Sequence, residues 1–313
     1  MYETLYNESL SRAAYRVWIL SDLQQSRPEN TKRCLEAGIT DFEGLGRPAD
    51  QIWYLGDAVE GADPDRLRDM CRLQEDAFAS LGLPLCYATG NHDYDYARTH
   101  REEAPWMPFY ETVRAHPGWK TTENCEDFWF RTQIGPYPVY FLCDHISREN
   151  AWCVTHSRVQ WGEEAYPYTD KDAEALRTRM HEETMPMITC GHCGFSGCNR
   201  DHALMDELLP LPPLERIHFY GHSHIGDWVW GKKDTWRRIC WVDWHDVPQI
   251  DVSSFENIRG EHCRSVLLHI YEDGGMGIFF RDHDHHRFTE AYFPARENGP
   301  DGWNDMRPKY GGQ

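Results

Sequence analysis

Lysine is scarce in this chain: 6 lysines stand beside 26 arginines, and with 51 acidic residues they leave a formal charge of −19 over 313 residues. A surface so short of positive charge repels nucleic acid and anionic lipid, which argues against either as a bulk partner. Long apolar runs are also missing. No window approaches the ~20 residues that a membrane-spanning helix needs, and residues 1–16 lack the apolar core of a secretion signal. A cytoplasmic location is the expectation. Internal repeats and low-complexity tracts are absent, so one domain is the simplest account. Cysteine is not short, at 11, but the number is odd, and Cys86, Cys143, Cys190 and Cys240 sit inside apolar, strand-like runs. Buried reduced thiols fit that placement better than a disulfide framework.

What is present is an alternation of strand-like and helix-like segments from about residue 14 to 220, the pattern of an α/β layered fold. Strands are expected at Arg16–Ser21, Gln51–Gly56 and Leu83–Thr89. Between them, helices are expected at Pro28–Ala37, stopped by Gly38, and at Pro64–Leu81, stopped by Gly82. A helix near Arg98–Val113 follows, then antiparallel strands at Asp127–Ile134 and Val139–Cys143 around a Gly-Pro-Tyr-Pro turn. Further helices at Asp170–Glu182 and Asp201–Leu209 alternate with strands at Met185–Cys190 and Arg216–Tyr220, and strands and turns continue to Phe293. We expect an N-terminal extension over 1–13, a main domain over 14–295 with insertion or lid segments near 94–135 and 145–170, and a loose polar tail over 296–313.

Five polar clusters fall at or just beyond the ends of these strands, at the edge where open α/β sheets collect ligands. They are Ser21-Asp22-Leu23-Gln24, Gly56-Asp57, Gly90-Asn91-His92-Asp93, Cys190-Gly191-His192 and Gly221-His222-Ser223-His224. The mixture of carboxylate, amide and imidazole suits two transition-metal ions better than calcium or magnesium alone. Two cations about 3.5–4 Å apart can stabilise both the attacking and the leaving oxygen of a phosphate ester, and they need a bridging anion. Asp57, held at the end of a strand, is the natural bridge. Alternation along an extended segment would place His222 and His224 on one side, free to serve neighbouring ions.

In this order the clusters resemble the calcineurin-like metallophosphoesterase family, over roughly residues 14–290. The resemblance implies a four-layer α/β/β/α sandwich of two mixed sheets flanked by helices, and a hydrolase that cleaves a phosphodiester or phosphomonoester by attack of metal-bound hydroxide. It implies a first metal held by Asp22, Gln24, Asp57 and His224, and a second held by Asp57, Asn91, His192 and His222. His92 would serve the phosphoryl oxygens or the leaving group without binding metal, with Asp93 in support. Two divalent ions are implied, manganese foremost, with iron, zinc, nickel or magnesium as alternatives, and a small-molecule phosphoester as substrate. One departure stands out: the first cluster of the family usually carries His where this chain has Gln24, so metal preference or affinity at that position is expected to change.

Other features invite weaker readings. Cys190, Cys193, Cys198 and His202 are spaced like a small zinc module, but Cys190 ends an apolar strand and His192 belongs to the other pattern. The run Asp282-His283-Asp284-His285-His286 lies between strand-like pieces and is expected to be a polar hairpin turn. Trp228, Trp230, Trp236, Trp241 and Trp244 suggest a hairpin whose rings mostly pack. Asp144, His145 and His156 suit a turn or a substrate contact equally. The rival to an enzyme is a non-catalytic metal- or protein-binding module on the same fold.

Overall fold

The computed structural model describes residues 1–61, 63–100, 106–125, 127–143, 170–194, 215–225, 230, 240–241, 247–257 and 262–293. Several expectations lie outside these residues: the Asp201–Leu209 helix, Cys198 and His202, Asp144, His145 and His156, most of the tryptophan hairpin, the 145–170 lid apart from residue 170, and the 296–313 tail.

Two mixed sheets form the middle of the molecule. The first runs in the order β13 (Arg287–Tyr292), β12 (Met276–Asp282), β11 (Arg264–Ile270), β1 (Tyr15–Leu20), β2 (Gln51–Leu55), β3 (Leu85–Ala88), β4 (Trp119–Lys120). The second runs β5 (Trp129–Ile134), β6 (Tyr137–Leu142), β7 (Met187–Gly191), β8 (Glu215–Tyr220), β10 (Gln249–Asp251), β9 (Cys240–Trp241). β1 to β4 are parallel, as are β6, β7, β8 and β10, whereas β11 to β13 and the β5–β6 hairpin pair antiparallel.

Strand periodicity explains the layering. Successive side chains of a strand point to opposite faces. Val17, Ile19, Trp53, Leu55, Cys86 and Ala88 face the second sheet and meet Val139, Phe141, Ile188, Cys190, Ile217 and Phe219 in one buried core. Their neighbours Trp18, Leu20, Ile52, Tyr54, Leu85 and Tyr87 point outward into a second core under α2 (Pro28–Gly44), α3 (Pro64–Ala79) and α5 (Pro108–Ala115). With both faces covered, the parallel strands read as near-continuous apolar runs. On the far side, α6 (Asp170–His181), with Leu176 and Met180 buried, meets the second sheet where the Tyr140 hydroxyl of β6 donates to the Arg179 carbonyl at 3.3 Å. The result is the α/β/β/α sandwich.

Three boundaries differ from expectation. Gly38 does not stop α2, which continues to Gly44; the missing side chain instead admits the ring of Phe255, whose Cζ lies 1.9 Å from where a Cβ would sit. In place of one helix near 98–113 there are a 3₁₀ turn at His92–Tyr94, α4 (Asp95–Thr99) and α5, which begins at Pro108. Proline lacks the N–H and clashes with the preceding turn, so it starts a helix better than it continues one. The residues set aside as an extension form α1 (Tyr2–Arg12), which lies on β12 and β13. Tyr6 stacks on Phe288 at 4.2 Å, and the Ser9 hydroxyl sits 2.8 Å from His269 Nδ1.

The Asp282–His286 run does turn between β12 and β13, with His285 and His286 exposed, but Asp282 and His283 are buried. Asp41 of α2 accepts from Arg281 through both oxygens at 2.8 Å and lies 2.8 Å from His283 Nδ1 and from His286 Nδ1. His262, Asp282 and His285 also gather closely enough to suggest a cation site. However, Arg287 lies 3.2 Å and Arg264 3.8 Å from the same Asp282 oxygen, and these fixed positive charges oppose a metal ion.

Candidate metal centre

The parallel strands deliver the polar clusters to one place. β1, β2 and β3 end together, so the loops after them carry Asp22 with Gln24, Asp57, and Asn91 with His92 along a single edge. β7 and β8 of the facing sheet end at the same edge and supply His192, His222 and His224. Backbone bonds lock the loops: Asp22 donates to Gly56 at 3.0 Å, Gln24 to Asp57 at 2.9 Å, and Gly221 to His192 at 3.0 Å.

The local backbone is unusual. Asp22 (φ 56°), Gln24 (35°), Asp57 (54°), His222 (66°) and His224 (43°) all adopt the left-handed region, which is costly for residues other than glycine. Five such residues in one site imply a geometry held by the surrounding fold, as at other functional sites. Close approach is bought with glycine: a Cβ at Gly90 would fall 2.3 Å from Asp57 Oδ1.

The facing atoms are short of positive charge. His192 Nδ1 lies 2.8 Å from the Leu55 carbonyl, which can only accept, so Nδ1 carries the proton. In the neutral ring, Nε2 then directs a lone pair toward Asp57 Oδ2 at 3.0 Å and Asn91 Oδ1 at 3.1 Å. His222 Nδ1 is 3.2 Å from that same nitrogen. Asp57, His192 and His222 thus present ligand atoms all within 4.8 Å of one another. Across the site, His224 Nε2 lies 3.2 Å from Asp22 Oδ1. Three fully buried oxygens, Asp22 Oδ1, Gln24 Oε1 and Asp57 Oδ2, accept no hydrogen bond of good geometry. Electron pairs converging on each other without donors are the arrangement a cation resolves, so the residues present fit divalent metal.

Titration tells the same story. Burial would lower the His224 pKa, but Asp22 and Glu256 overcome it and push it up to about 11. Burial would raise Asp57, yet His192, His92 and His222 hold it well below the usual carboxylate range. The site draws positive charge inward.

His92 stands slightly apart. Its amide donates to Asp57 Oδ1 at 2.8 Å and its ring Nδ1 meets Asp95 Oδ2 at 2.7 Å. Burial lowers its pKa, but the Asp95 hydrogen bond and the charges of Asp57, Asp95 and Glu60 raise it overall. Asp93 plays a different part: its carboxylate accepts the amides of Gly90 at 2.7 Å and of Asp57 and Ala58 at 3.1 Å, tying two loops together. Burial and the Asp57 charge push Asp93 up to about 7. All nine expected site residues therefore share one edge of the sandwich. Sequence reasoning missed Asp95, three residues beyond His92, and Glu256, whose Oε1 lies 2.8 Å from His224 Nδ1. The first was legible as an i, i+3 pair across a helical turn; the second comes from a distant loop with no local signal.

A two-sheet sandwich with carboxylates and imidazoles gathered at its strand ends defines a metallo-dependent phosphatase-like protein. The chain belongs to the calcineurin-like phosphoesterase family, whose model matches residues 15–226, and the family places it among metal-dependent hydrolases of phosphate esters. One solved crystal structure superposes with a TM-score of 0.50 at 11% identity, covering 86% of this chain and 99% of its own. The sulfate thiohydrolase SoxB of Thermus thermophilus, solved in complex with glycerol, gives a TM-score of 0.48 at 11% identity over 87% of this chain and 57% of its own. At such identities the likeness concerns the fold alone.

Proposed function

We propose that this protein is a dinuclear metal-dependent phosphoesterase acting on a small organic phosphate mono- or diester. The observation that carries the reading is the set of three buried oxygens without hydrogen-bond partners, on Asp22, Gln24 and Asp57, two of which (those of Asp22 and Asp57) face imidazole nitrogens. Asp22, Gln24, Asp57 and His224 would hold one ion, and Asp57, Asn91, His192 and His222 the other, with manganese the first choice. Bound there, the ions would neutralise phosphoryl charge and acidify water. The chain supplies the rest. His92, oriented by Asp95 through Nδ1, holds a proton at its other ring nitrogen for the leaving oxygen. Asp93 keeps the Asp57 and Gly90 loops in register, so that bridge and acid stay at a fixed separation.

Among the described residues no helix is long and apolar enough to cross a membrane. Buried free thiols such as Cys34, Cys71, Cys86 and Cys263 suit the reducing cytoplasm we propose as its location. The test is hydrolysis of aryl phosphate mono- and diesters with added Mn²⁺. Asp57→Asn and His92→Ala should each lower kcat at least about 100-fold, in line with the loss of positioned acid–base groups. Inertness of the metal-loaded protein across a broad phosphoester panel, or variants as active as the parent, would sink the reading.

A further inference from the structure

Glu256 sits in the loop after β10, almost fully buried at 1% exposure. One carboxylate oxygen lies 2.8 Å from His224 Nδ1, and the other accepts from Gln25 Nε2 at 2.9 Å. Gln25 is itself buried, and its amide also donates to the Leu23 carbonyl at 2.7 Å. The neighbouring Phe255 amide donates to Ser21 O at 2.7 Å. Glu256 is therefore fixed from both sides to the same loop that carries Asp22 and Gln24. Because a carboxylate accepts at Nδ1, that nitrogen keeps its proton, and Nε2, 3.2 Å from Asp22 Oδ1, is the ring atom left to face a cation. His224 adopts a left-handed backbone, its side chain is largely buried, and Glu256 is the shorter of the two carboxylate contacts that aim its ring.

The position it faces has an unusual donor set. Gln24 contributes a neutral amide oxygen in place of an imidazole, leaving His224 as the sole nitrogen donor beside Asp22 and Asp57. A carboxylate on the far nitrogen fixes the tautomer of an imidazole and raises its basicity as a ligand. We propose that Glu256 is a positioning residue that holds His224 for a cation at the Asp22–Gln24–Asp57 position and offsets the weak amide donor there. This rests on the two-metal reading above.

The experiment is calorimetric titration of the chelator-stripped full chain with Mn²⁺ and with Zn²⁺, paired with metal content and melting of the stripped protein. Wild type is expected to bind two ions. Glu256→Gln, which keeps the shape and the Gln25 contact, should weaken one of the two sites about 10–100-fold and leave the other unchanged. Adding Gln24→His to Glu256→Gln should recover most of that loss, which a purely structural role for Glu256 would not allow. Affinities at both sites unchanged from wild type in Glu256→Gln overturn the proposal, as does parallel weakening of both with a lowered melting point. Wild type that binds no metal overturns the two-metal reading along with it, whereas two ions bound identically by wild type and variant overturn this proposal alone.

Discussion

Gly38→Ala tests whether the packing described here governs stability. Helix propensity by itself predicts a gain, because alanine is favoured over glycine by about 1 kcal/mol in a helix interior. The structure predicts the opposite. A Cβ at this position would lie 1.9 Å from Phe255 Cζ and 2.6 Å from Cε2, whereas carbon atoms in contact stand about 3.5–4 Å apart. The ring must therefore retreat by roughly 2 Å, and it has little room: Phe255 is completely buried, edge-on to Trp18 at 5.7 Å and to His283 at 5.5 Å. Overpacking of this kind costs about 1–3 kcal/mol. A buried ring that must move this far takes the upper part of that range, about 2–3 kcal/mol, so against the propensity gain the net is a loss of about 1–2 kcal/mol, or about 1.5–3 °C in Tm at roughly 2.1 cal/mol/K of unfolding entropy per residue. Gly44→Ala, in the same helix with nothing within 4 Å, is the control and should be neutral or stabilising. Urea unfolding of both variants decides the matter. Gly38→Ala at or above wild-type stability would refute the packing account.

Asp95→Asn should lower kcat about 10- to 100-fold with little change in KM, since positioned acid–base groups contribute about 10²–10⁴-fold and only part of that is lost. Because Asp95 raises the His92 pKa, its loss should move the alkaline limb of the pH–rate profile toward lower pH; an unchanged profile would dismiss the pair. His269 is pushed down to about 3, first by burial and then by Arg16. Its folded pKa lies below the unfolded value of about 6.5, so its contribution is fully present above that pH. It is lost as pH falls toward 3, at up to about 1.4 kcal/mol per pH unit. His269→Gln should flatten that part of the stability–pH curve, and an identical slope in denaturant titrations from pH 6 to 4 would contradict the assignment.

The sequence exposed most of the fold because its strands are apolar on both faces and its polar clusters recur at their ends. β1, β2, β3, β7 and β8 were all legible from short apolar runs, each followed by Asp, Asn or His. What failed was local punctuation. Gly38 reads as a helix stop by propensity, yet its function is to receive Phe255, more than two hundred residues away in the chain. The 98–113 helix divided because Pro108 begins a turn of its own. The Asp282–His286 run reads as a polar hairpin turn and forms one, but Asp41 also draws His283 inward through a contact between distant elements.

The sequence by itself determined which chemical groups are available and in what order: Asp22 and Gln24, Asp57, Asn91 and His92, His192, then His222 and His224. Strand ends must face the same edge when the strands are parallel, so that much follows from local pattern and topology. Only the tertiary structure decided how the groups are aimed. The left-handed backbone at five of them, the Leu55 carbonyl that sets the His192 tautomer, the Asp95 partner of His92 and the Glu256 brace behind His224 arise where separate loops meet. A hydrogen bond between residues far apart in sequence leaves no local periodicity to read, and it is these contacts that turn a set of ligand-type residues into a directed site.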